Sequence, residues 1–244
     1  MKYFDFSYET PEENLALDEV LLDLVEVDPK EEVLRFWEPK ETFVVLGYSN
    51  DAKKEANVES CLKDEIPILR RASGGGAVVQ GPGCLNYTLV LNMNSRPELR
   101  DINVTNRVIM DGIRLALLNI ESRSNVSETI SVQGVTDLTA GKFKISGNAQ
   151  KRSRNAILFH GSFLLNFELP LIEKYLSHPT KEPDYRGKRS HSQFIQNILF
   201  QADELKLAMR NHWEADKENL VSIDPIAVSQ LVEAKYGNES WVKR

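Results

Sequence analysis

The pattern of apolar positions changes twice along the chain. Near the start, Leu17, Leu21, Leu24 and Val25 recur at helical spacing,. Thr10-Pro11-Glu12-Glu13 precedes them and Asp28-Pro29 follows. Thr10 is a capping residue, Pro11 suits the first helical position, and Glu13 completes a capping box. The spacing therefore predicts a helix that ends at Asp28. Val33 to Trp37 and Thr42 to Leu46 then read as strands, with Pro39 between them,. Further strands are predicted at Ile66 to Arg71, Val78 to Gln80 and Tyr87 to Leu91. Ile109, Ile113 and Leu117 put one apolar face on a helix over Asn106 to Leu118. Strand signals return at Val135 to Thr139, Lys142 to Ser146 and Ala156 to Leu165, with a turn at Ala140-Gly141. The last part is helical at Leu169 to Leu176, Ala202 to Trp213 and Pro225 to Lys235.

Strands in the middle and helices at both ends predict an α+β fold, with mixed or antiparallel sheets flanked by helices. There is no internal repeat, no low-complexity segment and no clear boundary, so residues 1–244 read as a single domain. Ser177 to Ser192, rich in Pro, Lys, Arg, Ser and His, is the best loop candidate. A net charge of −6 argues against a dedicated nucleic-acid binder,. No apolar run approaches the ~20 residues that span a bilayer. The opening Met-Lys-Tyr-Phe-Asp-Phe is too short and too acidic for a signal peptide. The expectation is a cytoplasmic protein with no nucleic-acid or membrane partner. Cys61 and Cys84 have no metal-ligand spacing and read as reduced thiols, and no histidine pair has metal-site spacing, so no metal ligand is assigned,.

Three stretches carry candidate chemistry. Arg70-Arg71-Ala72-Ser73-Gly74-Gly75-Gly76-Ala77-Val78 places three glycines between two strands. Glycine permits positive φ and close approach of a ligand, and such a loop aims several N–H groups at a phosphate. The arginines offer guanidinium clamps. On its own the loop is equally consistent with a flexible hairpin and solvated arginines. It is neither a P-loop nor a dinucleotide fingerprint. In Lys142 to Gln150, strand alternation puts Phe143 and Ile145 on one side and Lys142, Lys144 and Ser146 on the other. Alone, that reads as an exposed strand with solvated lysines. His160, between apolar residues in Phe159 to Asn166, reads alone as a hydrogen-bonded core histidine.

Together and in this order, these stretches resemble the lipoate-protein ligase A family, which shares a fold with the biotin protein ligases. The resemblance rests on Arg70 to Val78, on Pro82-Gly83-Cys84-Leu85-Asn86-Tyr87, on Lys144 to Gln150 and on His160-Gly161. Glu13 to Asp18 resembles the family's first helix, and Trp37 to Asn50 resembles its Val-x-x-Gly region. Lys235-Tyr236 with Trp241 resembles the end of the catalytic domain. The match spans nearly the whole chain.

The resemblance implies a biotin/lipoate protein ligase catalytic-domain fold and a two-step reaction. ATP, with Mg2+, activates lipoate or octanoate as acyl-AMP, and the acyl group passes to a lysine of an acceptor domain. It implies Lys144 as the catalytic charge. Arg71, Ser73, Gly74, Gly75, Gly76, Ala77, Asn86, Asn148 and His160 are implied as binding residues, and Asp137 as a group that orients Lys144 or meets magnesium. Implied partners are lipoyl domains of 2-oxoacid dehydrogenase E2 subunits and the glycine cleavage H protein. The longer ligases carry an accessory domain beyond this point, so either a separate accessory subunit supplies it, or a shorter form suffices, or the complete ATP reaction is absent. Two alternatives stay open. One is an ATP-independent octanoyl or lipoyl transferase, although Asn125 to Asp137, where ligase-like transferases carry their cysteine, contains none. The other is a non-catalytic protein that binds an acyl ligand or a lipoyl domain.

Overall fold

The computed structural model describes residues 1–121, 130–215 and 223–244, so residues 125–129 of the cysteine-free stretch lie outside the described residues. In chain order the elements are β1 (Lys2–Asp5), α1 (Pro11–Val27), β2 (Val33–Trp37), β3 (Phe43–Leu46), α2 (Ala52–Glu55), α3 (Val58–Lys63), β4 (Ile68–Arg70), β5 (Val78–Gln80) and β6 (Cys84–Asn92). They continue with α4 (Ile102–Glu121), β7 (Ile130–Gln133), β8 (Asp137–Ala140), β9 (Phe143–Arg152), β10 (Ala156–Leu164), α5 (Pro170–Tyr175), α6 (His191–Phe194), α7 (Ala202–His212), α8 (Pro225–Leu231) and α9 (Glu239–Val242). The larger sheet has the order β1-β2-β6-β10-β9-β8-β7, with β1 parallel to β2 and every other pair antiparallel. The smaller sheet has the order β4-β3-β5, with β4 parallel and β5 antiparallel to β3. This is the expected α+β class with mixed sheets.

Helix α1 starts where its cap directs. Thr10 accepts from the Glu13 amide and Glu13 returns the bond to Thr10, with Pro11 in the first turn. Its apolar face lies on the large sheet, where Leu17, Leu21 and Val25 meet Val33, Val90 and Leu158. Neighbouring sheet residues point the other way, as strand geometry requires. Leu89, Phe159 and Phe163 pack against Ile109, Ile113 and Leu117 of α4 and Met209 of α7. The sheet is thus covered on both faces, which explains why β6 and β10 contain so few exposed positions.

Two strands escape the sequence pattern. β1 and β7 are short and sit at the two edges of the sheet, where one side needs no apolar partner,. The strand expected from Val135 begins instead at Asp137. Gly134, at φ +58°, places a turn before it and leaves Val135 72% exposed. Among the described residues no helix is long and apolar enough to cross a membrane.

The smaller sheet is bound to the chain's last helix by Arg70, which is 1% exposed. Its Nη1 donates to the carbonyls of Gly47 (2.8 Å), Tyr48 (3.0 Å) and Asn50 (2.8 Å). Nε donates to Trp241 O (3.0 Å), Nη2 to Val242 O (2.7 Å), and the Trp241 indole returns a bond to Arg70 O (2.8 Å). The solvated-arginine reading and the phosphate-clamp reading both fail here, because the whole guanidinium is spent on backbone carbonyls. Arg70→Gln strands several of these acceptors, and buried groups left unpaired cost ~1–3 kcal/mol apiece. Urea denaturation of the variant should show a loss on the order of 3 kcal/mol. A midpoint equal to wild type would contradict the role.

Candidate active site

A cleft of about 370 Å³ opens between the two sheets. That is the size range of small-ligand pockets. Its apolar wall includes Leu15, Trp37, Val45, Val78, Leu164 and Ile172. Arg71, Gly75, Gly76, Ala77, Asn86, Asp137, Lys144, Asn148 and His160, expected as site residues, line the same cleft. Ser73 and Gly74 do not. Ser73 lies beneath the glycine loop at 1% exposure, and Gly74 faces open space on its outer side.

The loop's carbonyls are turned into the protein. Ser73 O accepts from the Tyr48 amide (2.8 Å), and Arg71 Nη2 donates to Gly74 O and to Gly76 O (2.9 Å). Gly75 O lies directly against Gly47, where any Cβ would collide with it. Gly75 itself sits at φ +89°, a conformation that favours glycine,. With their carbonyls so engaged, the amides of Gly74, Gly75 and Gly76 donate to no group among the described residues, and all three residues are exposed. The result is a loop of free N–H groups, the kind of backbone arrangement that can receive an anion. Arg71 braces it rather than clamping a ligand. Burial with no carboxylate partner pulls its guanidinium down to about 10.

Lys144 stands on β9 beside a β-bulge that pairs Leu138 with Ser146 and Thr139 with Lys144. Ile145 turns into the core while Lys144 and Ser146 line the cleft, as alternation predicts, but half-buried Phe143 does not join Ile145 there. Lys144 Nζ is 2.8 Å from Asp137 Oδ1. The Tyr185 hydroxyl donates to the other oxygen, Oδ2, at 2.7 Å. Gly147 leaves the space the ammonium occupies, since a Cβ there would lie 2.9 Å from Nζ. One Lys144 proton is committed to Asp137 and two remain for a ligand. Asn148 lies over Gly161, where a Cβ would overlap its amide. It accepts from Tyr87 OH (2.5 Å) and donates to Thr136 O (2.6 Å). Asn86 differs: it is 5% exposed and its Nδ2 has no partner.

Behind the loop runs a buried polar chain. Ser73 Oγ is 2.6 Å from His160 Nε2, and His160 Nδ1 is 2.9 Å from Asp18 Oδ2. Asp18 Oδ1 accepts from Arg35 Nη1 (2.6 Å) and Thr88 Oγ1 (2.8 Å). Burial alone would raise the Asp18 carboxyl. The His160 hydrogen bond, the Arg35 charge and the Thr88 hydroxyl together hold it below its usual value. With a carboxylate on Nδ1, that nitrogen is the donor to Asp18, and the Ser73 hydroxyl meets the other ring nitrogen. His160 is hydrogen-bonded, as the plain reading held, but at the cleft wall.

Of the two roles expected for Asp137, the structure shows contacts that suit the orienting one, and among the described residues no cluster of protein ligands beside it,. Both Asp137 oxygens are taken by Lys144 and Tyr185, and among the described residues no three His, Cys, Asp or Glu side chains are grouped to hold a metal ion. Asp137 is built to orient Lys144. Cys84 is 1% exposed and its thiol is pushed up to about 12 by burial, while Cys61, also buried, is raised as well.

A sequence model of the lipoyl protein ligase A/B catalytic domain matches residues 10–211. The chain belongs to that family. It is an enzyme of the lipoate-protein ligase class. Lipoate-protein ligase A subunit 1 of Thermoplasma acidophilum is 24% identical over 238 residues, covering 93% of this chain and 90% of the relative. Lipoate-protein ligase A of Blochmanniella floridana is 28% identical over 230 residues, 90% of this chain but 64% of the relative. The octanoyltransferase LipM of Bacillus subtilis is 26% identical across 98% of this chain and 96% of its own length. Among solved structures, the bipartite T. acidophilum ligase, studied with its E2 lipoyl domain, superposes with a TM-score of 0.81 at 22% identity, over 99% of this chain and 95% of that one. The putative T. acidophilum ligase with bound lipoic acid gives 0.79 at 22%, over 100% and 99%. A lipoate-protein ligase A bound with ATP gives 0.76 at 23%, over 100% and 99%. At these identities the structures establish the fold.

Within this family fold, Asp18, Arg35 and Tyr185 are residues that sequence reasoning did not single out for the site. Asp18→Asn removes the anion that offsets fully buried Arg35, and breaking such a pair costs about 3–5 kcal/mol,. The Asp18 pKa is lower folded than unfolded, so its contribution is complete above ~3.9 and is lost as pH falls through the folded value,. Denaturation at pH 7 and in acid should therefore show the gap between wild type and variant closing on acidification. A gap independent of pH would contradict the linkage. For Cys84, iodoacetamide at pH 8 should leave the folded protein unalkylated there by peptide mass mapping. Rapid labelling of Cys84 would show a thiolate that the structure does not provide.

Proposed function

We propose that the chain is a lipoate-protein ligase. It takes ATP and lipoate, or octanoate, into the cleft, forms acyl-AMP, and passes the acyl group to a lysine of a lipoyl acceptor domain. The observation that carries this reading is the pairing of two features in one cleft. One wall presents the free amides of the glycine loop, and another presents the Lys144 ammonium with two unused protons. The apolar wall suits an acyl chain.

In the first step a carboxylate oxygen of the acid attacks the α-phosphorus and pyrophosphate leaves. In the second, the acceptor amine attacks the acyl carbon, AMP leaves, and the amine gives up a proton. Negative charge grows on phosphoryl oxygen in the first step and on acyl oxygen in the second. Loop amides and Lys144 stabilise it without reorganising, because Gly47, Arg71 and Asp137 already fix them. Asn86, with its unpaired amide in the wall, is a further donor for the acid or its adenylate. The acceptors proposed are E2 lipoyl domains or the glycine cleavage H protein. Likeness to a ligase subunit supports a separate accessory subunit.

The likeness to an octanoyltransferase gives a second reading, which needs a cysteine thiolate,. Buried Cys84, with its thiol held protonated, does not favour it. The deciding comparison is ATP-dependent lipoylation of a lipoyl domain by three proteins. Lys144→Ala should lose roughly 10²–10³ in rate while folding normally. The double variant Cys61→Ser, Cys84→Ser should retain activity. Full activity in Lys144→Ala, or a dead double variant with an acyl adduct on wild-type cysteine, would overturn the proposal.

A further inference from the structure

A strap between α5 and α6 crosses the cleft. On one side it is tied to α2, where the Ser177 amide donates to Glu55 O (3.1 Å) and the Thr180 hydroxyl to the Glu55 carboxylate. On the other it is tied to β8 and β9. Tyr185 reaches Asp137 there, Arg189 Nη1 donates to Lys142 O (2.8 Å), and just past α6 the Gln196 amide donates to Lys144 O (3.0 Å). The strap is locally basic, with four basic and two acidic residues in 181–189, in a chain of net charge −6. Those four basic residues are not equivalent. Lys181 and Lys188 are exposed, and Arg189 spends its guanidinium on the carbonyls of Lys142, Tyr185 and Arg186.

Arg186 is 4% exposed and lines the cleft. Its Nε donates to Arg189 O (3.0 Å), its guanidinium lies 4.8 Å from the Phe194 ring centre, and Glu182 Oε2 is 3.5 Å from Nε. Its Nη2 is buried with no partner. Most of the other cationic groups near the site are already engaged, while exposed Lys181 also lines the cleft. Arg70 is bound to backbone carbonyls, Arg71 to the glycine loop, and Lys144 is paired with Asp137 and keeps two protons for a ligand,. A multiply charged phosphate is best held by several cations, and beside Lys144 a guanidinium suits it by shape.

We propose that Arg186 is a further anion contact of the cleft, separate from the glycine loop and Lys144, and that it takes a phosphate group of a substrate: the pyrophosphate end of a nucleotide. The same chemistry would accept the phosphate of a phosphopantetheine arm. The choice of nucleotide rests on the ligase reading; the existence of the contact does not. The neighbouring Tyr185 bond to Asp137 links the contact to Lys144, so that one turn of the strap positions both.

The test is calorimetric titration of the whole chain with inorganic pyrophosphate, with 4′-phosphopantetheine and with lipoate. Arg186→Gln should weaken pyrophosphate by roughly tenfold or more, the size expected for a lost charge-assisted contact, and leave lipoate unchanged. Arg186→Lys should recover part of the loss. Unchanged pyrophosphate affinity, an equal loss of lipoate affinity, or a wild type that binds neither phosphate probe would overturn the contact. A wild type that binds phosphopantetheine through Arg186 but not pyrophosphate would keep the contact and sink the ligase reading. Should Arg186→Gln fail to fold, wild-type side-chain NMR decides. The Arg186 Nε–H resonance should move with pyrophosphate and not with lipoate, and its failure to move would overturn the proposal.

Discussion

The carboxylate of Asp18 organises this site. It projects from α1 and meets Arg35 on β2, Thr88 on β6 and His160 on β10, and through His160 it reaches Ser73 under the glycine loop. A buried carboxylate without such partners would be too costly to keep charged. With them it ties three strands, a helix and the loop to a single point. Arg35 depends on it in turn, and adds bonds to Asn14 O (2.9 Å) and Asn14 Oδ1 (2.7 Å). The place where the loop turns is therefore set by a polar network inside the main sheet's helix-covered face.

Missing side chains matter as much as present ones. Gly47 lets the glycine loop rest its Gly75 carbonyl against the smaller sheet, Gly147 makes room for the Lys144 ammonium, and Gly161 gives Asn148 a seat across the β9–β10 pairing. Each clearance fixes a functional group by close backbone approach. Loop amides and Lys144 ammonium thus face the cleft in prearranged positions.

Much of this was legible in the chain. The cap at Thr10, the period of α1 and α4 and the alternation in β9 are local signals, and local signals fixed the elements. The motifs were visible because several glycines and polar residues interrupt apolar strands. What was not legible depends on contacts between distant residues. Asp18 and His160 are 142 positions apart and Asp137 and Tyr185 are 48 apart, so no spacing rule connects them. One miss had an available signal. Arg70 and Arg71 are adjacent at a strand end, and alternation sends adjacent side chains to opposite faces. They could not have clamped one phosphate together, and one braces the back of the small sheet while the other braces the loop. Likewise, the strap's four basic residues look alike in the chain but not in the fold, where Lys181 and Lys188 are exposed and Arg186 is buried.

The family fold supports ligase and transferase chemistry alike, and the difference lies in what is activated. A transferase activates a cysteine; the site described here offers amides and an ammonium for charge on oxygen, and buries both thiols. The most direct measurement is pyrophosphate exchange into ATP. The account predicts exchange that requires lipoate or octanoate, fails with biotin, and survives replacement of both cysteines by serine. No exchange with either acid, together with acyl transfer from an acyl carrier protein through a cysteine thioester, would contradict it.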